Sequence, residues 1–161
     1  MLIWYFAYGS NMDKQRLIER GVSFTEEIHG ILKGWRLCFN KLASNSDGRE
    51  GYANIEPASG ELVEGIMYHI PEENLKCLDR YEGFPNHYLK VGLTVECPPN
   101  GKDIEAVIYI ANPKQLRGGL FPNRDYLNHL IAGERLLSGP YMQFLRSHPT
   151  LGDEEEQQVH Q

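Results

Sequence analysis

Two groups of residues have the types and spacing for chemistry. The first is Tyr8-Gly9-Ser10-Asn11, lying between an apolar, aromatic run (residues 2–8) and a helical pattern that ends near Arg20 and Gly21. The first N–H groups of a helix lack partners, and its dipole favours negative charge. A glycine there places no Cβ in the way of a ligand. Such a loop suits a carboxylate or a developing oxyanion. It equally suits an ordinary turn in which Asn11 caps the helix and Asp13 lies in the first turn. The loop lacks the lysine and spacing of G-x-x-x-x-G-K. Ser10 sits in Y-G-S-N, not in the nucleophile turn G-x-S-x-G.

The second is Glu82. Pro71 starts a predicted short helix (residues 71–81) that Gly83 and Pro85 close, with Leu75 and Leu78 marking its buried face. Glu82 falls seven residues after Leu75 and four after Leu78, so it shares that face. A carboxylate on an apolar face is costly when ionised and unpaired. Desolvation raises its pKa, making it a usable proton carrier near neutral pH. The alternative is that the helix frays at Gly83 and Glu82 turns to water. Glu72, Glu73, Lys76, Asp79 and Arg80 are expected to face water.

Other constellations carry less. The six histidines show no ligand spacing, H-E-x-x-H is absent, and Cys38, Cys77 and Cys97 form no C-x-x-C pair. Neither a metal site nor a redox pair is indicated, and the thiols are expected to be reduced. Ser10 and Cys77 as hydrolase nucleophiles would need an activating base, and no neighbouring residue supplies one. Of the nine tyrosines, Tyr88 and Tyr126 are placed to line a pocket or simply to pack.

These residues need a scaffold. After the first strand, loop and helix, short strands are expected at 27–32, 35–39, 53–56 and 62–69, separated by Gly, Asn, Ser or Pro. The polar, Gly-rich segment 43–51 reads as a surface loop. Two more strands, 88–97 and 104–111, flank the turn Pro98-Pro99-Asn100-Gly101. Asn123 caps a helix expected from 124 to about 137, Ser138-Gly139-Pro140 breaks it, and a short helix begins at Tyr141. Many strands with few alternating helices favour an α+β fold with a mixed, curled sheet.

The chain has 161 residues, 41% of them hydrophobic and 24% charged, which fits one globular domain. We expect that domain over residues 1–149 and a disordered acidic tail over 150–161. Of the 22 acids, four (Asp153, Glu154, Glu155 and Glu156) lie in the tail, leaving 18 against 16 Lys and Arg. The body is thus nearly balanced, with no basic patch for nucleic acid. No apolar run approaches the ~20 residues that span a bilayer. Residues 1–7 are too short for a signal peptide and lack its basic start and cleavage site. We therefore expect a cytosolic protein that binds neither membrane nor nucleic acid.

Four stretches resemble the γ-glutamylcyclotransferase family. They are Phe6-Ala7-Tyr8-Gly9-Ser10-Asn11; Glu64-Gly65-Ile66-Met67-Tyr68; Leu78-Asp79-Arg80-Tyr81-Glu82-Gly83 followed by Tyr88; and YLNHLIAGERLLSGPYMQFL (126–145). The chain departs from many relatives in having Ser138-Gly139-Pro140 for Gly-Leu-Pro. The resemblance implies a compact mixed β-barrel flanked by helices. It also implies conversion of a small γ-glutamyl compound to 5-oxoproline with release of the attached amine. Glu82 would be the catalytic acid/base. Tyr8, Gly9, Ser10 and Asn11 would hold the substrate largely through backbone amides, with Tyr88 and Tyr126 lining the pocket. No metal or cofactor is implied, and monomer and homodimer both remain open. Two other functions stay open as well: a superfamily relative acting on a γ-glutamylated biosynthetic intermediate, and a non-catalytic binding protein on the same fold.

Overall fold

The computed structural model describes residues 1–44 and 47–152. Five strands close into a barrel in the order β1-β3-β2-β4-β5. They are β1 (Leu2–Ala7), β2 (Glu26–Leu42), β3 (Gly51–Pro71), β4 (Tyr88–Cys97) and β5 (Lys102–Ala111). All neighbours are antiparallel except β1 and β5, which meet in parallel at Tyr5 and Val107. The sheet is therefore mixed and closed, and among the described residues four α-helices accompany it: α1 (Lys14–Glu19), α2 (Leu75–Glu82), α3 (Arg124–Ile131) and α4 (Gly139–Arg146).

The expected short strands 27–32 and 35–39 are one strand, β2, and 53–56 and 62–69 are another, β3. Gly34 and Gly60, expected to end strands, instead lie within them at φ +84° and +80°. Positive φ permits a local kink while pairing resumes beyond it. The β2–β3 register shifts between Lys33 and Trp35 and again between Cys38 and Lys41. Such irregularities bend long strands enough to close a small barrel. Strands β4 and β5 pair from Tyr88 with Ala111 through to Cys97 with Lys102, joined by the expected turn.

The helices are shorter than their sequence patterns suggest. Pro71 is the last residue of β3, a 3-10 turn covers Glu72–Asn74, and α2 starts only at Leu75. Asn123 does cap α3, its side chain accepting from the Tyr126 amide. That helix stops at Ile131 and tightens into a 3-10 turn, Ala132–Arg135. Ser138 caps α4, so the breaking tripeptide also starts the next helix, with Pro140 in its first turn where a missing N–H costs little.

Phe6, Val63, Ile66, Met67, Val95 and Ile108 are buried on the strands, and Met12, Leu17, Leu78, Leu127 and Leu145 on the turns and helices, all in one core. Thr150 is buried and the Leu151 amide donates to the Pro122 carbonyl at 3.2 Å. The expected tail lies outside the described residues from 153 onward.

Candidate active site

The loop after β1 is a single 3-10 turn, Ser10–Met12. The amides of Met12 and Asp13 close it on the carbonyls of Gly9 and Ser10, at 3.0 and 3.1 Å. The amides of Gly9, Ser10 and Asn11 find no acceptor within the turn, as at any helical start. Asn11 is not the cap of α1. Asp13 is, accepting from the Gln15 amide at 3.1 Å. Asn11 is buried and braces the loop instead. Its Nδ2 donates to the Tyr5 hydroxyl at 3.0 Å, its Oδ1 accepts from Arg20 at 2.9 Å, and its carbonyl accepts from the Tyr68 hydroxyl at 2.9 Å. A short amide held on three sides holds the backbone on either side of it. Gly9 has a steric role as well, since a Cβ there would lie 3.3 Å from the Ala53 Cβ and 3.6 Å from the Tyr126 hydroxyl.

Glu82 is the last residue of α2. Gly83 takes the left-handed conformation at φ 64°, and the amides of Gly83 and Phe84 turn back to the carbonyls of Arg80 and Asp79. The helix therefore holds its last turn, and Glu82 faces inward with Leu78. Asp79 is only partly exposed. Its carboxylate accepts from the Tyr109 hydroxyl at 2.6 Å and from the Lys90 ammonium at 2.9 Å, tying α2 to β4 and β5. This clamp lies three residues before Glu82, on the same short helix.

Loop and carboxylate face one cavity of about 350 Å³, lined by Tyr8, Gly9, Ser10, Asn11, Glu82, Tyr88 and Tyr126 among others. The structure thus brings together every site residue expected from sequence. Tyr8 donates to the Tyr109 carbonyl at 2.5 Å. Tyr88 and Tyr126 grip the Ala53 backbone from both sides: Tyr88 donates to its carbonyl at 2.8 Å, and Tyr126 accepts from its amide at 2.9 Å. That bond leaves the Tyr126 O–H proton for another acceptor. Burial pushes Tyr8, Tyr88 and Tyr126 well above the ordinary tyrosine range, so all three remain neutral hydroxyls. Cys77 is not among the lining residues, and burial pushes the Cys38 thiol up to about 12.

Burial also raises Glu82 to about 7, against the opposing pull of Arg20, Arg16 and Lys41. Glu82 retains some accessible area because one side meets the cavity. Depth within the protein, not that opening, sets its proton affinity. The three cations were not recognised from sequence. Arg16 and Arg20 are four residues apart, a spacing that places both on the face of α1 beside the loop. Lys41 follows Phe39 and precedes Ala43 in the inward register of β2, and all three are buried. A lysine in an inward register is a signal legible in sequence once the strand has been placed. Among the described residues, no group of three or more His, Cys, Asp or Glu could hold a metal ion.

The structure thus presents a closed mixed barrel in which a buried carboxylate and a strand-to-helix loop line one cavity. The family model described as "Gamma-glutamyl cyclotransferase, AIG2-like" matches residues 5–128, and the chain belongs to that family. The chain is 32% identical over 108 residues to the γ-glutamylcyclotransferase of Bos taurus, a match covering 65% of this chain and 57% of that protein. It thus spans little more than half the length of that relative. Among solved structures, one titled γ-glutamyl cyclotransferase superposes with a TM-score of 0.81 at 24% identity, covering 93% of this chain and 89% of its own. A yeast γ-glutamyl cyclotransferase described as specific to glutathione superposes at 0.63 with 14% identity, covering 89% and 93%. These two likenesses are of fold. No helix among the described residues is long and apolar enough to cross a membrane.

Proposed function

We propose that the protein converts a γ-glutamyl compound to 5-oxoproline and releases the attached amine or amino acid. The observation that carries this reading is Glu82, a carboxyl raised to about 7 and lining the same cavity as Gly9, Ser10 and Asn11. The substrate supplies its own nucleophile. Its α-nitrogen attacks its γ-carbonyl carbon, a C–N bond forms in a five-membered ring, and the original amide C–N bond breaks. The α-ammonium loses two protons in becoming the lactam N–H, and Glu82 relays them one at a time to the departing nitrogen, which leaves as an ammonium, so protons balance and no water is consumed. A pKa near 7 suits both halves of that exchange.

The amides of Gly9, Ser10 and Asn11 stabilise the tetrahedral oxyanion or hold the substrate carboxylate. Tyr8, Tyr88 and Tyr126 wall the cavity and keep the extended substrate folded on itself. Proximity strongly rewards that near-attack shape. The three cysteines are free, which suits a reducing compartment, and we place the protein in the cytosol.

The test is 5-oxoproline release from a panel of γ-glutamyl amino acids, γ-glutamylamines and glutathione, by wild type and by Glu82→Gln. The expected result is turnover of at least one compound and a loss of ~10²–10⁴-fold in a folded Glu82→Gln protein. A panel without turnover would favour a non-catalytic binding protein. Turnover that survives Glu82→Gln would remove Glu82 from the chemistry.

A further inference from the structure

Lys41 is a buried lysine to which no carboxylate of the described residues is bonded. Its side chain is 1% exposed, and burying an ammonium is costly unless something compensates. Its hydrogen-bond partners are neutral, and Glu82 acts on it only through space. Nζ donates to the Leu42 carbonyl at 2.8 Å and to His87 Nδ1 at 2.9 Å. The Tyr52 and Tyr88 rings stand 5.7 and 5.8 Å away. An ammonium has three donors, and these two bonds leave one. Among the described residues, no carboxylate lies within 4.0 Å of Lys41, Arg16 or Arg20.

Besides Arg80, these three cations line the cavity, against one carboxylate among the described residues, Glu82. They occupy two walls. Arg16 lies on α1 and Arg20 at its C-terminal cap, beside the loop, and Arg20 also bonds Asn11 of that loop. Lys41 stands at the end of β2, next to His87. The buried Nε of Arg16 has no partner either. A ligand with one carboxylate would satisfy the α1 wall and leave the β2 wall bare.

On the γ-glutamyl reading above, we propose that Lys41 is a ligand-binding residue whose ammonium receives a carboxylate carried by the released half of the substrate. The preferred substrates then release an amino acid or short peptide, not a simple amine. The α1 arginines face the glutamyl end, and Lys41 sets specificity for the other end. His87 positions Lys41, its Nδ1 accepting while its Nε2 carries the ring proton. At about 350 Å³ the cavity is near the small end of ligand pockets (~300–1,000 Å³), so the released half is compact.

The test compares γ-glutamylglycine with γ-glutamylmethylamine, which differ by that carboxylate alone. It reads kcat/KM for 5-oxoproline release and, separately, calorimetric affinity in the Glu82→Gln background. Wild type is expected to favour γ-glutamylglycine by roughly 10–100-fold, the worth of a charge-assisted hydrogen bond. Lys41→Met should collapse the ratio towards one, and Lys41→Arg should retain most of it. A loss of Glu82 tuning would slow both substrates alike, so only the ratio reports carboxylate binding. If Lys41→Met does not fold, Lys41→Gln carries the test, and the wild-type ratio is decisive by itself.

A wild-type ratio near one overturns the proposal and leaves the cyclisation reading standing. A ratio that survives Lys41→Met but collapses in Arg16→Met overturns it in favour of the α1 wall. Preferential, Lys41-dependent binding without turnover supports Lys41 and refutes cyclisation. Binding of neither compound overturns the proposal.

Discussion

Glu82→Gln should stabilise the protein in a pH-dependent way, and the size of the effect follows from its proton affinity. The carboxyl rises from an ordinary 4.5 to about 7 in the folded chain. Between those values the folded state holds a proton that the unfolded state has released, so stability falls as pH rises through that window. The penalty is nearly absent below about pH 4.5 and complete above about pH 7. At 1.36 kcal/mol per unit its full size is about 3 kcal/mol. Gln mimics the protonated form at every pH and escapes the penalty. Glu82→Gln should therefore match wild type near pH 4.5 and exceed it by ~2–3 kcal/mol at pH 8, or several degrees in Tm for a domain of this size. Urea denaturation of both proteins from pH 4.5 to 8 measures this directly. A stability difference independent of pH would refute a raised Glu82. A Glu82→Gln protein less stable at pH 8 than at pH 4.5, relative to wild type, would show that the cations hold the carboxylate in its ionised form. The same titration governs catalysis: with Glu82 ionised to accept a proton, rate should fall ~10-fold from its plateau by about pH 6.

Arg20 heads the groups opposing burial at Glu82, so Arg20→Gln should move the acid limb of the rate profile up by about 1 unit, while Arg20→Lys leaves it near wild type. A limb unmoved by Arg20→Gln would separate that charge from Glu82. Gly9→Val should lose ~10²-fold or more, because its side chain meets Ala53 and Tyr126, whereas Ser10→Ala should stay within a few-fold. The reverse ranking in steady-state kinetics would give the serine hydroxyl the leading role. Asp79→Ala should cost ~1–3 kcal/mol in denaturant and lower kcat more than it raises KM, since it frees the helix that carries Glu82. Glu64→Ala should cost ~2–4 kcal/mol because His29 and Ser138 lose a shared, buried acceptor. Unchanged midpoints for Asp79→Ala or Glu64→Ala would refute the corresponding clamp.

The sequence by itself determined the local features. A β1-like run ending at Gly9, helix ends at Gly21 and Gly83, a cap at Asn123 and the β4–β5 hairpin all follow from interactions a few residues long. Helical periodicity placed Glu82 with Leu78, because side chains four residues apart share a face whatever the surrounding fold. Only the tertiary structure decided the rest. Local reading treats Gly34 and Gly60 as strand ends, but pairing with a neighbouring strand outweighs the local break and makes two long, bent strands from four short ones. Asn11 has the residue type of a cap, yet partners as distant in sequence as Tyr68 draw it into the core, and Asp13 caps in its place. Asp79 is drawn partly inward for the same reason: Tyr109 and Lys90 reach it only once the barrel has closed. Arg16, Arg20 and Lys41 belong to two elements, and neither their convergence nor the charge they bring to Glu82 exists along the chain. Electrostatics depends on distance through space, and closure of the barrel around the cavity sets that distance.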